Sequence, residues 1–334
     1  MGNNNTRTRA FDVVKNGSDN NRRKMVIAIF VVIALILAAF ATLIIGKLVN
    51  ELPLNPGVPS NGDFDYIPLY AEDMKKGNLI IINDQFKYDI PKDLSNMVDV
   101  FDYMYNDSNA SFTSINNKLL YSLTFDYITL TQPTLDALNT MLMDYCKTID
   151  LKNADSKSAS NIEIAWGGYS DETKDQYDSD LSSIGKDYYD HALGTTIVIK
   201  KHSDHSRINE ANFKKEFAWI YENAHKYGFI IRYPDACANH TGQNSNVRIH
   251  YRYIGAEHAT YMHENNICLE EYIDLLKTKH NSASNPLSVE TESGKYDIYY
   301  IQFNGNPTTV PVPKGAKYTI SGDNMNGFIV SVEK

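Results

Sequence analysis

Cysteine is scarce in this chain: Cys146, Cys237 and Cys268 are the only three. They are odd in number and far apart, so at most one disulfide can form and a disulfide scaffold is excluded. There is no CxxC, and no Cys/His set has zinc-finger spacing. GxSxG is missing and no serine has a base paired with it by spacing, which leaves Ser/His/Asp catalysis without support. A glycine-rich loop of the phosphate-cradling kind is also absent. No internal repeat is evident.

Positive charge is short as well. The chain carries 32 basic and 41 acidic residues for a net charge of -9. The first 24 residues hold six basic and two acidic groups, or +4, which leaves -13 on residues 25–334. A body that acidic is a poor candidate for binding nucleic acid or anionic polymers.

Charge disappears altogether between Met25 and Gly46, "MVIAIFVVIALILAAFATLIIG". The run is long enough to cross a hydrocarbon core of about 30 Å as a helix. A cleaved signal peptide would have an apolar part of about 7–15 residues and a small-residue cleavage site. Here the run is longer and "KLVNELPLNPG" follows, so an uncleaved anchor is expected. Arg7, Arg9, Lys15, Arg22, Arg23 and Lys24 precede it and only Lys47 closely follows. The positive-inside bias therefore predicts a cytoplasmic tail over 1–24, a transmembrane helix over 25–46 and an exterior remainder.

What is present beyond residue 46 reads as a globular protein. Pro53, Pro56, Pro59 and Pro68 among Asn, Gly and Asp predict a spacer over 47–75. "NLIIIN" at 78–83, "NIEIAW" from 161, "TTIVIK" from 195 and "VRIHYRYIG" from 247 predict strands. Leu135, Leu138, Met141, Leu142 and Cys146 fall at helical spacing. Phe213, Phe217, Ile220, Tyr221 and Ala224 line a second helix that Gly228 stops. "CLEEYIDLLKTK" from 268 predicts a third. Strands and helices mix without regular alternation, so the class is α+β. The main domain is expected over 76–280. Short alternating runs broken by Gly, Asn and Pro predict a small β module over 281–334.

The segments "YYDHALGT" and "WIYENAHKYGFIIRYPDACANHTGQNSNVRIHYRYIGAEHATYMHENNICLEEYI" resemble the VanY-type D-Ala-D-Ala carboxypeptidases of peptidase family M15, over roughly residues 78–278. The resemblance implies the small zinc-peptidase α+β fold shared by VanY-like and hedgehog-like proteins. It also implies action on the D-alanyl end of peptidoglycan stem peptides. A peptidase zinc needs three protein ligands, an open place for water and a carboxylate to take that water's proton.

The family's first ligand segment, SxHxxGxAxD, is matched by His191 and Gly194, with Asp190 beside the histidine. Its ligand aspartate falls on Val198. The ExWHxRY segment is matched by His250, Arg252 and Tyr253, while its general-base glutamate falls on Val247. The substrate-binding arginine of the "GYRS" segment falls on Tyr169, with Ser170 retained. Valine has no lone pair to offer a metal or a proton. His191 and His250 are therefore the metal-ligand candidates, expected to face one another, and no catalytic residue is assigned.

Tyr169, Ser170 and Arg248 are the candidates for substrate binding. On a regular strand Arg248 would point to the face opposite Val247, shared with His250 and Arg252. It could offer the cleft the charge lost at Tyr169; the other reading is an exposed arginine. Arg232 and Arg252 are expected to pair with carboxylates near the cleft. His202, Asp204 and His205 are read as solvated loop residues, the alternative being a substitute third ligand. His225, His240, His258 and His263 are expected outside the site.

Added to the anchor expected at 25–46, the resemblance with these replacements implies a catalytically inactive homologue, a binding or scaffold protein with zinc absent or weakly held. Its role would be to bind a peptidoglycan stem peptide or a cell-wall protein. The competing class is an active zinc D,D-carboxypeptidase.

Overall fold

The computed structural model describes residues 63–83, 85–89, 96–168, 190–241 and 249–334. The predicted tail, anchor and first part of the spacer lie outside these, as do Tyr169, Ser170, Val247 and Arg248. No helix among the described residues is long and apolar enough to cross a membrane.

A five-stranded sheet organises the main domain, in the order Ser122–Leu123, Ile162–Trp166, Thr196–Lys201, Ile249–Tyr253, Phe229–Ile231. The first pair is parallel and the rest antiparallel. The Gln132–Thr148 helix packs on one face of it. Its Leu135, Leu138, Met141, Leu142 and Cys146 are all buried, as their spacing predicts. Each large aliphatic side chain so removed from water is worth about 1.5–3 kcal/mol. Ile197, Ile199, Ile249 and Tyr251 meet that helix from the sheet.

Side chains alternate along a strand, so the residues between these point to the other face. In the register of the two central strands, His250 stands opposite Val198 and Arg252 opposite Thr196. The apolar side of the sheet builds the core, and the opposite side carries the polar candidates.

The second predicted helix is segmented. Glu210–Glu216 and Ala218–Asn223 are helical, separated at Phe217 (φ -122, ψ 43), and a 3-10 turn follows over Ala224–Tyr227. Phe213, Phe217, Ile220 and Ala224 are nonetheless buried together, so the apolar face survives the break. Gly228 ends the segment at φ +86, its N–H donating back to Ala224 O and His225 O. A side chain at that φ would be strained, which is why the stop falls on glycine.

Two expectations change. The predicted spacer is folded from Phe64, where Phe64–Leu69 pairs antiparallel with Thr308–Pro313. Ile67 and Leu69 pack against the buried Val310 and Val312, and Pro68 is tolerated because the ribbon has only two strands. "NLIIIN" is buried but is not a strand. Its polar groups are met irregularly: Leu79 N–H donates to Ser321 Oγ, and Ile81 N–H to Asp323 O. Arg252 donates to the carbonyls of Asn78 and Ile80. Side chains and loop carbonyls take the place of a ladder.

The C-terminal residues form a four-stranded antiparallel sheet, ordered Leu287–Thr291, Gly294–Gln302, Gly327–Glu333, Tyr318–Gly322. Leu287, Val289, Ile298, Tyr300 and Ile329 share one core with Leu269, Tyr272, Ile273 and Leu276 of the Leu269–Lys279 helix. Residue 281 is thus a change of secondary structure within a continuous core. Gly322 of the last strand in that order also packs close against the Ala71–Lys75 turn, where a Cβ would lie 2.1 Å from Met74 O.

Candidate functional site

The turn over 190–193 delivers the first histidine. Gly194 closes it, donating its N–H to His191 O at 2.9 Å with φ +65. A Cβ on Gly194 would also meet Met97 Sδ at 2.6 Å. That geometry explains the three-residue spacing of His191 and Gly194. His191 Nδ1 lies 2.9 Å from Gly167 O. A carbonyl only accepts, so Nδ1 is the protonated nitrogen and Nε2 carries the lone pair of the neutral ring.

His250 comes from the Ile249–Tyr253 strand. Its ring centroid lies 5.8 Å from that of His191, and both side chains are almost completely buried. The two predicted ligands therefore converge. Val198 is fully buried beside them, with Ala165, Trp166 and Ala192 as its apolar neighbours. The position expected to hold a ligand aspartate is a small hydrophobic cluster.

Asp190 holds this arrangement in place without facing the histidines as a ligand. Its Oδ2 accepts from Arg232 Nε at 2.9 Å and from Arg252 Nη1 at 3.1 Å. Arg232 in turn makes a two-bond fork to Glu270, at 2.9 and 2.8 Å. Burial pushes the Asp190 carboxyl up, but the charges of Arg252 and Arg232 prevail and hold it below the usual carboxylate range. Two acids and two arginines balance, which is the condition for charges this deep. The expectation that both arginines pair with carboxylates holds. Glu270 was invisible in the sequence, since nothing in "CLEEYI" says which glutamate turns inward.

The other histidines stand apart. His202 Nδ1 meets Ser122 Oγ at 2.8 Å, and His205 Nδ1 meets the buried Glu163. His202 is partly buried, so it is not the solvated loop residue expected, although His205 is largely exposed. His258 is buried and bonds Tyr272 OH, while His225 stacks on His263 with centroids 3.9 Å apart. Burial first, then the neighbouring His263, pushes His225 down to about 4. The side chain of His240 is outside the described residues.

Among the described residues no Cys, Asp, Glu or third His joins His191 and His250 in a set able to hold a metal ion. A peptidase zinc takes three protein ligands, and the described residues bring these two imidazoles together beside Val198.

Comparison with known proteins agrees with the fold. The family described as VanY, D-alanyl-D-alanine carboxypeptidase, matches residues 165–256. A D-alanyl-D-alanine carboxypeptidase of Enterococcus faecium is 38% identical over 145 residues, 43% of this chain and 44% of that protein. Another from Enterococcus faecalis (strain ATCC 700802 / V583) is 40% identical over 88 residues, 26% of this chain and 31% of that protein. The chain thus spans less than half the length of the curated relatives it matches. The vancomycin-resistance D,D-dipeptidase VanXYg, solved with a D-Ala-D-Ala phosphinate analogue, superposes with a TM-score of 0.61. That likeness covers 82% of this chain and all of that one at 22% identity. The His191 turn and the His250 strand both lie inside the matched region, so the part of the chain that carries the site is similar to the VanY-type D-alanyl-D-alanine carboxypeptidases.

Proposed function

We propose that this protein is a membrane-anchored VanY homologue that binds D-alanyl-ended stem peptides of peptidoglycan, or a cell-wall protein, without hydrolysing them. The anchor is 25–46, with residues 1–24 in the cytoplasm and the folded part outside. One observation carries the loss of catalysis: Val198, at the position of the zinc aspartate, is buried in an apolar cluster and stands in register with His250. No metal or proton chemistry is available to a valine. Val247 for the base and Tyr169 for the substrate arginine point the same way from the sequence.

Binding survives such losses more readily than catalysis does. The site face keeps its buried shape through the Asp190–Arg232–Arg252–Glu270 network, which does not depend on a metal. The relative VanXYg was solved with a D-Ala-D-Ala analogue, which supports a D-alanyl peptide as ligand. Convergence of His191 and His250 favours a second reading, an active zinc D,D-carboxypeptidase. It would need its third ligand and its base from 169–189 or 242–248.

The test is made on the purified full chain with a muramyl pentapeptide. Expected are saturable binding and no release of D-alanine, with or without added zinc. Release at a rate comparable to an intact family member sinks the non-catalytic reading, and absence of binding sinks the peptide-binding one.

A further inference from the structure

A second group of soft ligands lies outside this site. Cys237 ends a 3-10 turn over Asp235–Cys237, and Cys268 is the residue that caps the Leu269–Lys279 helix. Both are buried. Thirty residues separate them in sequence, yet their sulfurs and a Glu271 carboxylate oxygen all lie within 4.8 Å of one another. Glu271 Oε2 is 3.4 Å from Cys237 Sγ and 3.3 Å from Cys268 Sγ, and it also accepts from Cys268 N–H at 3.0 Å.

Helix capping explains part of this. A residue at the third helical position reaching back to the cap N–H is the usual box. Capping does not account for Cys237, which arrives from a different element and shares the same oxygen. Two thiols on one carboxylate oxygen is the donor set of a thiolate-rich divalent site. Zinc–sulfur bonds of about 2.3 Å and zinc–carboxylate bonds of about 2.0–2.2 Å at tetrahedral angles put sulfur and oxygen about 3.5 Å apart. The two observed separations are close to that, so an ion could enter with little movement.

The cluster also has a way in. Cys237 and Cys268 line a cavity of about 320 Å³, together with Glu210, Tyr221, His225 and His263. Three protein ligands would leave a fourth place for water or another small donor.

We infer that Cys237, Cys268 and Glu271 form a binding site for a thiolate-preferring divalent cation of the zinc type, distinct from the His191/His250 pair. Two S–H bonds give up their protons to solvent as two metal–sulfur bonds form, and a Glu271 carboxylate oxygen supplies the third ligand atom. No electron changes hands. Because the thiols must lose their protons to bind, loading releases protons and occupancy rises with pH. Glu270, next to the ligand Glu271, is the clamp on Arg232. A bound ion would therefore stiffen the helix turn that also supports the Asp190 network.

Cobalt serves as the spectroscopic probe. Added to the reduced, purified full chain, it is expected to bind one equivalent at this cluster with thiolate-to-cobalt charge-transfer absorption in the near ultraviolet. Cys237→Ser and Cys268→Ser should each abolish that absorption, and Glu271→Gln should weaken binding about tenfold or more. His191→Ala with His250→Ala should leave the band intact, because imidazoles do not give it, so the result is independent of what the VanY-like site does. Thermal melts of the metal-free variants verify that they remain folded. No band in the reduced wild-type chain overturns the inference. So does a band that survives both serine variants, or a Cys237–Cys268 disulfide whose reduction yields protein without the band.

Discussion

Asp190 Oδ2 and Arg252 Nη1 meet at 3.1 Å with both side chains fully buried. The contact ties the turn that carries His191 to the strand that carries His250. Removing one partner leaves an uncompensated buried charge, at a cost of about 3–5 kcal/mol. Arg252→Met is expected to lower stability by that amount in urea denaturation of the full chain. A loss below about 1 kcal/mol, the value of an exposed pair, would show that the network is not what holds the turn.

The same carboxylate sets an acid limit. Its folded pKa is depressed below the unfolded value of about 3.9, so its contribution is complete above that pH. It is lost as pH falls further, towards the folded pKa. Asp190→Asn is expected to be less stable at neutral pH, with a smaller further loss below about pH 4 than wild type. Parallel curves for the two proteins in that acid range would contradict this.

Much of this arrangement could be read from the sequence, because the alternation in "TTIVIK" and "VRIHYRYIG" fixes which residues share a face. Val198, His250 and Arg252 follow from it once the strands are neighbours. Glu270 and the Gly167 carbonyl could not be foreseen, since each depends on how a distant element is turned. "NLIIIN" failed as a strand because its four buried apolar residues report burial and not pairing. Phe64–Leu69 was hidden by Pro68 and the prolines that precede it, a composition that suits both a spacer and a narrow ribbon. Cys237 and Cys268 looked unrelated for the same reason: sequence separation says nothing of the helix cap that brings them together.

His225 provides a separate test in a different pH window. Its folded pKa of about 4 is below the unfolded value of about 6.5, so protonation favours the unfolded chain. Stability is full above about pH 6.5 and declines as pH falls towards about 4. His225→Phe is expected to flatten the decline between those values while leaving the loss below pH 4 unchanged. Denaturant midpoints across pH 7 to 3 read both regions, and an unaltered slope above pH 4 would show that His225 does not control it.

The charge asymmetry around 25–46 predicts which part of the chain is reachable from outside. Protease added to intact protoplasts is expected to remove the folded part and leave a fragment containing residues 1–24 in the membrane. Complete protection would show that the orientation is reversed.

Restoring the chemistry is the most demanding test of the VanY-like site. Val198→Asp places a carboxylate beside His250 and within the Ala165, Trp166 and Ala192 cluster, and Val247→Glu supplies a base. Without metal the new aspartate is a buried charge with no partner, so the double variant is expected to be less stable than wild type by about 3–5 kcal/mol. With zinc, the introduced carboxylate would join His191 and His250 to make the three-ligand set. Binding to the folded state alone restores stability by about 2.7 kcal/mol when free zinc is about a hundredfold above its dissociation constant. Because the cysteine cluster would also take zinc, the comparison is made in a Cys237→Ser, Cys268→Ser background. Activity is expected to remain poor, since Tyr169 leaves the substrate carboxylate without its arginine. Thermal melts with zinc and with chelator decide the matter. If zinc raises the melting temperature of the double variant no more than that of its parent, then His191 and His250 do not converge on a metal position, and the alignment that places aspartate at residue 198 is wrong.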